Sequence, residues 1–320
     1  MDVDLENNIS TRDAFSNAIT EFGLKNERVF TVAADSESRF GAFIKEAPDR
    51  AINVGIAEQN AMSIAAGLAF CGKIPFVSTY ATFLTMRACE QIRTDIAFAN
   101  LNVRIVGTNT GFSSDWLGFT HQALEDIGIM RALPNMTVLV PADGEETYRL
   151  VEALIDYEGP AYLRIRGKSK EPHIQGKDKI EIGKARKLRE GNDLTVIACG
   201  SMVHHALAAA DELSSEGASI RVLGVHTIKP IDKDAILEAA EETKGIITVE
   251  EHNIIGGLGS AVAEITGEYK PVLVRRMGIK DRFGVPGEEE SLFEYFGLTS
   301  EHIANEARKL LEMINTVGDK

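Results

Sequence analysis

The stretch Ala51-Ile52-Asn53-Val54-Gly55-Ile56-Ala57-Glu58-Gln59-Asn60 contains the change of structure that decides the fold. Its first four residues predict a short strand, Gly55 predicts a turn, and the small-residue run 61–70 predicts a helix that begins near Glu58. A Glu in the first turn of a helix is usually only a favourable charge at the positive end of the helix dipole. Glu58 also follows a strand and a glycine turn, which is a good position for accepting a proton from a bound ligand.

The alternation of strands and helices continues along the whole chain. The predicted strands are 28–33, 51–54, 75–78, 103–107, 137–140, 161–165, 194–198, 220–225, 246–249 and 272–275. Such alternation predicts an α/β protein with two domains, each a mostly parallel twisted sheet flanked by helices. The polar segment 167–181 interrupts the pattern with two glycines and a proline. We therefore predict a first domain over residues 1–170, a linker over 171–190 and a second domain over 191–320.

Composition excludes several classes of protein. The chain has 320 residues, which favours two domains, and its formal net charge of −14 argues against binding to nucleic acid or to an anionic membrane. The three cysteines are far apart in sequence, which argues against disulfides and a zinc site and predicts a cytoplasmic location. The acidic N-terminus does not resemble a signal peptide, and the apolar run 61–71 is too short to span a bilayer.

Several candidate site residues lie just after, or one loop beyond, a predicted strand. They are Asp35, Glu58, Tyr80, Asn109 and His121. Ligands of open parallel sheets bind beyond the carboxyl ends of the strands, so we expect these side chains to converge on one edge. The sequence offers no clear nucleophile paired with a base, which indicates that a cofactor supplies the reactive atom.

Two other motifs have simpler interpretations. The turn Gly256-Gly257-Leu258-Gly259 follows a strand and precedes a helix, but it lacks the G-x-G-x-x-G spacing of a dinucleotide site. A tight turn for helix packing is the better prediction. The adjacent His204 and His205 face different sides of a predicted helix, so a joint metal site is not expected.

Five segments in order resemble one known family. They are GIAEQNAMSIAAGLA (55–69), STYATFL (78–84), GFTHQALEDIGIMRALPNMTVLVPADGEET (118–147), GPAYLRIRGK (159–168) and PVLVRRMGIKDRFGVPGEEESLFEYFGLTSEHI (271–303). The first four are similar to the pyrimidine-binding domain of transketolases and deoxyxylulose-phosphate synthases. The last is similar to the transketolase C-terminal domain. The resemblance covers nearly the whole chain.

The resemblance implies a thiamine diphosphate site. Glu58 matches the glutamate that activates this cofactor by a hydrogen bond to its aminopyrimidine ring. Phe83 matches an aromatic side chain that packs on that ring, and Met86 takes the place of a second aromatic in the pocket. Asp35 resembles an acid of the cofactor pocket and subunit interface.

The resemblance also implies a substrate site. His121, in the THQ motif, matches a histidine that contacts the substrate during catalysis. Arg12 and Arg166 resemble arginines that bind the sugar-phosphate end of the substrate, and Asn109 stands where some transketolases have another histidine. Leu117 replaces an aspartate of many members, so the usual sugar-phosphate specificity is not implied.

One segment of complete thiamine diphosphate enzymes is absent from this sequence. The family binds the diphosphate through Mg²⁺ with a GDG segment and an Asn about 25–30 residues later, and none occurs here. The resemblance thus implies a split transketolase whose partner subunit holds Mg²⁺, closed as a dimer of heterodimers. It would move a two-carbon ketol unit from a ketose to an aldose. The alternatives are the beta subunit of a 2-oxo acid dehydrogenase, a synthase that condenses a 2-oxo acid with an aldehyde, and a non-catalytic regulatory subunit.

Overall fold

Two sheets organise the protein. The computed structural model describes residues 8–174 and 180–318. Its strands are β1 (Val29–Ala33), β2 (Ala51–Asn53), β3 (Ile74–Tyr80), β4 (Arg104–Thr108), β5 (Thr137–Leu139), β6 (Ala161–Arg164), β7 (Arg186–Arg189), β8 (Leu194–Ala198), β9 (Ile220–Gly224), β10 (Thr227–Lys229), β11 (Ile246–Asn253) and β12 (Val274–Ile279). Within the described ranges one sheet has the order β10-β5-β6-β4-β3-β1-β2 and the other β12-β11-β8-β9-β7.

Helices cover both sheets. They are α1 (Thr11–Lys25), α2 (Phe43–Glu46), α3 (Glu58–Phe70), α4 (Cys89–Gln91), α5 (Asp126–Ala132), α6 (Gly144–Asp156), α7 (Met202–Ser215), α8 (Lys233–Glu242), α9 (Leu258–Tyr269), α10 (Glu289–Phe296) and α11 (Ser300–Gly318). The prediction of two mostly parallel sheets flanked by helices is confirmed. Among the helices described, none combines the length and the apolar character that crossing a membrane requires.

Side-chain caps fix where several helices begin. The Ser10 hydroxyl accepts a hydrogen bond from the Asp13 N–H at 3.1 Å at the start of α1, and Asp143 accepts from the Glu146 N–H at 2.8 Å at the start of α6. Ser300 has a side chain that predicts an N-cap for the last helix, but the structure places the cap one residue earlier. Ser300 is already helical, and the Thr299 carbonyl accepts the first helical hydrogen bond, from the Ile303 N–H at 3.1 Å.

The sequence pattern over 83–98 predicts one continuous helix, and this prediction is wrong in detail. Wide, π-type turns at Phe83–Arg87 and Ile92–Ala97 flank the short helix α4. Threonine hydroxyls bond back to the preceding turn here, from Thr85 to the Ala81 carbonyl and from Thr94 to the Glu90 carbonyl, both at 2.8 Å. Such bonds compete with the regular backbone pattern and distort helices.

Two short antiparallel strands were missed from the sequence. β7 lies inside the segment predicted as linker and pairs with β9 at the edge of the second sheet. β10 comes from the second half of the chain but pairs with β5 and extends the first sheet. Neither strand has the apolar run that marked the other strands. The predicted domain boundaries, with the first domain ending at 170 and the second beginning at 191, stay a prediction. The first sheet contains β10, which lies after these boundaries in sequence.

The glycine turn before α9 supports helix packing. The N–H groups of Leu258 and Gly259 donate to the Glu250 carboxylate at 2.7 and 2.8 Å. A Cβ at Gly257 would lie 1.9 Å from the same carboxylate, so only glycine fits there. An internal carboxylate therefore occupies the helix N-terminus where a nucleotide site would bind phosphate.

A buried arginine joins the two sheets. The Arg164 Nε donates to Asp126 at 2.8 Å, and its Nη2 donates to the Ala123 and Glu251 carbonyls, each at 3.0 Å. Tyr162 donates to the same Asp126 oxygen at 2.6 Å. Burial alone lowers the pKa of Arg164, but the Asp126 and Glu251 carboxylates raise it overall. Breaking such a pair leaves an uncompensated buried charge.

We predict that Arg164→Met lowers the free energy of unfolding by about 3–5 kcal/mol. The substitution keeps most of the side-chain volume but leaves Asp126 without its cation. Chemical denaturation followed by circular dichroism measures the change. Arg149→Met is the matched control, because the Arg149–Glu152 pair is exposed and contributes less than about 0.5 kcal/mol. Equal denaturation midpoints for the two variants would contradict the central role of Arg164.

Candidate active site

The strand order brings the predicted site residues to one edge of the first sheet. β1 pairs in parallel with β3, and β3 pairs in parallel with β4. The carboxyl ends of these neighbours therefore lie side by side, with Asp35 after β1, Tyr80 at the end of β3 and Asn109 after β4. In the sheet, β2 lies on one side of β1 and β3 lies on the other. The strand order therefore reverses direction at β1, and parallel sheets bind ligands at the carboxyl ends of the strands beside such a switch point.

Glu58 is the first residue of α3, and its side chain is 2% exposed. Arg87 neutralises it, because Arg87 Nη1 donates to both carboxylate oxygens, each at 2.8 Å. The Arg87 guanidinium carbon also lies 4.3 Å from the centre of the Phe83 ring. Glu58, Arg87 and Phe83 therefore form one contact group, in which the Glu58 side chain is buried and the Arg87 side chain is 46% exposed.

Three aromatic rings meet beside this group. The Phe83 ring centre lies 5.0 Å from that of His121, and the Tyr80 ring centre lies 5.3 Å from His121 and 5.8 Å from Phe83. The rings meet edge to face or tilted, the arrangement that aromatic pairs prefer. The structure thus confirms that Tyr80 and His121 converge, although 41 positions separate them in sequence.

Loop hydrogen bonds hold His121 in place. Its carbonyl accepts from the Thr82 and Ser114 hydroxyls, both at 3.0 Å, and Ser114 also donates to the Asn109 carbonyl at 3.0 Å. The His121 Nδ1 pairs with the Thr120 hydroxyl at 2.9 Å. The His121 ring therefore keeps Nε2 for a hydrogen bond to a ligand. The Ser114 hydroxyl, which donates to both carbonyls, joins Asn109 to the loop that carries His121.

Arg39 was missed from the sequence. Its side chain is 7% exposed, its guanidinium carbon lies 4.8 Å from the Tyr80 ring centre, and its Nη1 has no hydrogen-bond partner in the described part of the chain. Burial lowers the pKa of Arg39 to about 10; Arg12 also lowers it, while Tyr80 and Asp35 oppose the shift. Arg39 is thus a buried cation that lies against one ring of the aromatic cluster.

Asp35 and Met86 lie at the border of the site. Asp35 has a positive φ of 70° and is exposed, and its carbonyl accepts from the Asn53 side chain at 3.4 Å. Met86 is 44% exposed and lies between Phe83 and Arg87 in the wide helical turn. Both residues are available to a ligand or a partner, and their predicted roles stay predictions.

Arg166 is not part of this group. Its guanidinium is buried and pairs with Glu171 and Glu289, with Glu251 at 3.6 Å. Three carboxylates already neutralise it, so the arrangement gives no support to the prediction that Arg166 binds an anionic substrate. The sequence showed an arginine at a strand end but not the carboxylates that the second sheet and α10 bring to it.

Arg87 was also missed, although a signal was present. It lies four residues after Phe83, a spacing that places side chains on one helix face. Arg39 gave no such signal, since it lies in a single 3₁₀ turn, and only the packing of Glu37–Phe40 against α1 and β1 brings it to Tyr80.

Comparison with known proteins identifies the family. The model of the transketolase pyrimidine binding domain matches residues 7–169, and that of the transketolase C-terminal domain matches residues 183–303. The chain belongs to the transketolase family. The match confirms the resemblance on which the assignment of Glu58 and Phe83 depends.

The relatives of this transketolase-family chain have similar length. It is 40% identical over 306 residues to the 6-deoxy-6-sulfo-D-fructose transketolase subunit SqwH of Clostridium sp. strain MSTE9, covering 95% of each chain. It is 40% identical over 310 residues to one subunit of the apulose-4-phosphate transketolase of Phocaeicola vulgatus, covering 96% of this chain and 99% of that one. A solved structure described as a split gene transketolase, inactive beta4 tetramer, is 41% identical with a TM-score of 0.87, covering 96% and 99%.

Proposed function

We propose that this chain is the pyrimidine-binding subunit of a thiamine diphosphate-dependent split transketolase, which moves a two-carbon ketol unit from a ketose to an aldose. The observation that carries the proposal is the buried Glu58 at the start of α3, next to Phe83 and the Tyr80–His121 pair. The relatives named above support ketol transfer over oxidative decarboxylation of a 2-oxo acid, because both are named as transketolase subunits.

The described residues fit the aminopyrimidine end of the cofactor. Glu58 supplies a buried carboxyl group, Phe83 an aromatic face and Met86 an exposed apolar side chain. When bound, thiamine diphosphate supplies the nucleophilic carbon that the side chains lack. Glu58 holds and moves a proton at the pyrimidine ring, and His121 Nε2 orients a substrate hydroxyl or carbonyl. Mg²⁺ ligands are assigned to the partner subunit.

We predict that Glu58→Gln reduces turnover of the assembled enzyme by roughly 100-fold or more, because the amide cannot take part in proton transfer. The measurement is ketol transfer between sugars, with assembly checked by size-exclusion chromatography. Glu152→Gln is the matched control, since Glu152 is exposed on α6. Unchanged turnover in the assembled Glu58 variant would exclude the proposed role, and oxidative decarboxylation by the complex would exclude ketol transfer.

The substrate is expected to carry an anionic group. A buried guanidinium without a carboxylate partner is costly, and Arg39 has an unpaired Nη1 while its guanidinium lies against the Tyr80 ring. An anion bound at Arg39 would pair with this Nη1, and the positive charge of Arg12, which lowers the pKa of Arg39, would favour the same anion. The names of the relatives contain a sulfo sugar and a sugar phosphate, and both substituents are anions. The two arginines provide the local positive charge in a chain of net charge −14.

We predict that Arg39→Gln raises the KM for an anionic sugar by about 10- to 100-fold, the value of one charge-assisted hydrogen bond. Steady-state kinetics with sugar phosphates and with their uncharged parent sugars measure this effect. The uncharged sugars are the internal control, because they lose no ion pair. A proportional loss for charged and uncharged sugars would show that Arg39 supports the fold rather than binding the anion.

The partner subunit is expected to bind beside His121. Trp116, Leu117 and Phe119 are all more than half exposed, and the Phe119 ring centre lies 6.1 Å from that of the exposed Phe283. Contiguous exposed apolar side chains mark interaction surfaces.

The described residues contain no group of three or more metal-binding side chains arranged around one site. Self-association to a dimer of heterodimers and a cytoplasmic location belong to the same proposal.

We predict that Phe119→Asp weakens assembly with the diphosphate-binding subunit by at least about 30-fold, since buried aromatic anchors dominate interface energies. Analytical ultracentrifugation of the mixed subunits measures the dissociation constant. Tyr269→Asp is the control, because Tyr269 on α9 is 56% exposed against 60% for Phe119. Equal dissociation constants for the two variants would place the interface elsewhere.

A further inference from the structure

Arg87 covers the surfaces that the cofactor is expected to use. Its Nη1 donates to both Glu58 oxygens at 2.8 Å, and its guanidinium carbon lies 4.3 Å from the Phe83 ring centre. These are the carboxyl group and the aromatic face assigned to the aminopyrimidine. A planar cation on an aromatic face is itself a favourable arrangement. Arg87 and a pyrimidine ring therefore compete for the same two side chains.

The competition extends to the proton on Glu58. A carboxylate that accepts from a guanidinium at both oxygens acts only as an acceptor, whereas an aminopyrimidine ring nitrogen is itself an acceptor and needs a donor. The two hydrogen-bonding states of Glu58 exclude each other. The cofactor cannot be activated through Glu58 while Arg87 holds both oxygens.

We propose that Arg87 is an internal competitor for the cofactor, which closes the pyrimidine site in the free chain and turns outward when thiamine diphosphate binds. The proposal rests on the proposed function. Because only a fraction of the chains has Arg87 turned away, the apparent cofactor affinity is reduced by that fraction. Arg87 thus sets the affinity of the site without being a catalytic residue.

The burial of the two partners favours such a switch. The Arg87 side chain is 46% exposed and can reach water, whereas Glu58 is 2% exposed and cannot be left unpaired at low cost. Arg87 therefore leaves Glu58 only when another group takes over its hydrogen bonds. This requirement couples the outward movement of Arg87 to cofactor binding.

The test is the dissociation constant of thiamine diphosphate for the complex of both subunits with Mg²⁺, measured by equilibrium dialysis. We expect Arg87→Met to bind about tenfold more tightly than the unmodified complex, which corresponds to about 1.4 kcal/mol. Arg93→Met, an exposed arginine in the following helical segment, is the matched control and should leave the constant unchanged. The fluorescence of Trp116, the single tryptophan of the chain, provides a second signal from the loop that leads to His121.

A second variant protects the test against a folding defect. Arg87→Gln keeps a neutral donor for Glu58, and we expect its dissociation constant to lie between those of the Met variant and the unmodified protein. Weaker or unchanged binding by folded Arg87 variants would overturn the proposal and show that Arg87 holds Glu58 in place for the cofactor. Failure of the unmodified complex to bind thiamine diphosphate would instead contradict the proposed function.

Discussion

The arrangement of the two sheets depends on the hydrogen bonds and ion pair of one buried guanidinium, that of Arg164. It lies at the end of β6 in the first sheet, pairs with Asp126 on α5, and donates to the Glu251 carbonyl on β11 of the second sheet. A charge removed from water requires partners in fixed positions. Arg164 therefore constrains strand, helix and second sheet together, beyond what apolar packing alone requires.

The same constraint reaches the candidate site through Glu251. Its carboxylate accepts from the Phe112 N–H at 2.7 Å and from the Ser201 hydroxyl at 3.1 Å. Phe112 opens the loop that continues to His121, and Ser114 in that loop donates to the His121 carbonyl. The second sheet thus positions the loop that carries His121, although the first sheet provides most of the site.

The charges of the site differ from those of the whole chain. The net charge is −14, yet Arg39 and Arg87 lie at the strand edge where the cofactor and substrate are proposed to bind. Arg87 is neutralised by Glu58, whereas Arg39 retains an unpaired Nη1 within the described structure. Only Arg39, with its unpaired Nη1, favours an external anion. This difference separates the proposed substrate end of the site, at Arg39, from the cofactor end, at Glu58 and Arg87.

The sequence by itself determined the alternating strands, the start of α3 at Glu58 and the edge where Asp35, Tyr80 and Asn109 meet, because hydrophobic periodicity and strand order are local or nearly local properties. Tertiary structure decided the rest. β10 joins the first sheet across the predicted boundary, Arg166 is enclosed by Glu171 and Glu289, and Arg87 reaches Glu58. A charged side chain takes the partner that folding brings to it, and sequence spacing does not encode contacts between distant segments.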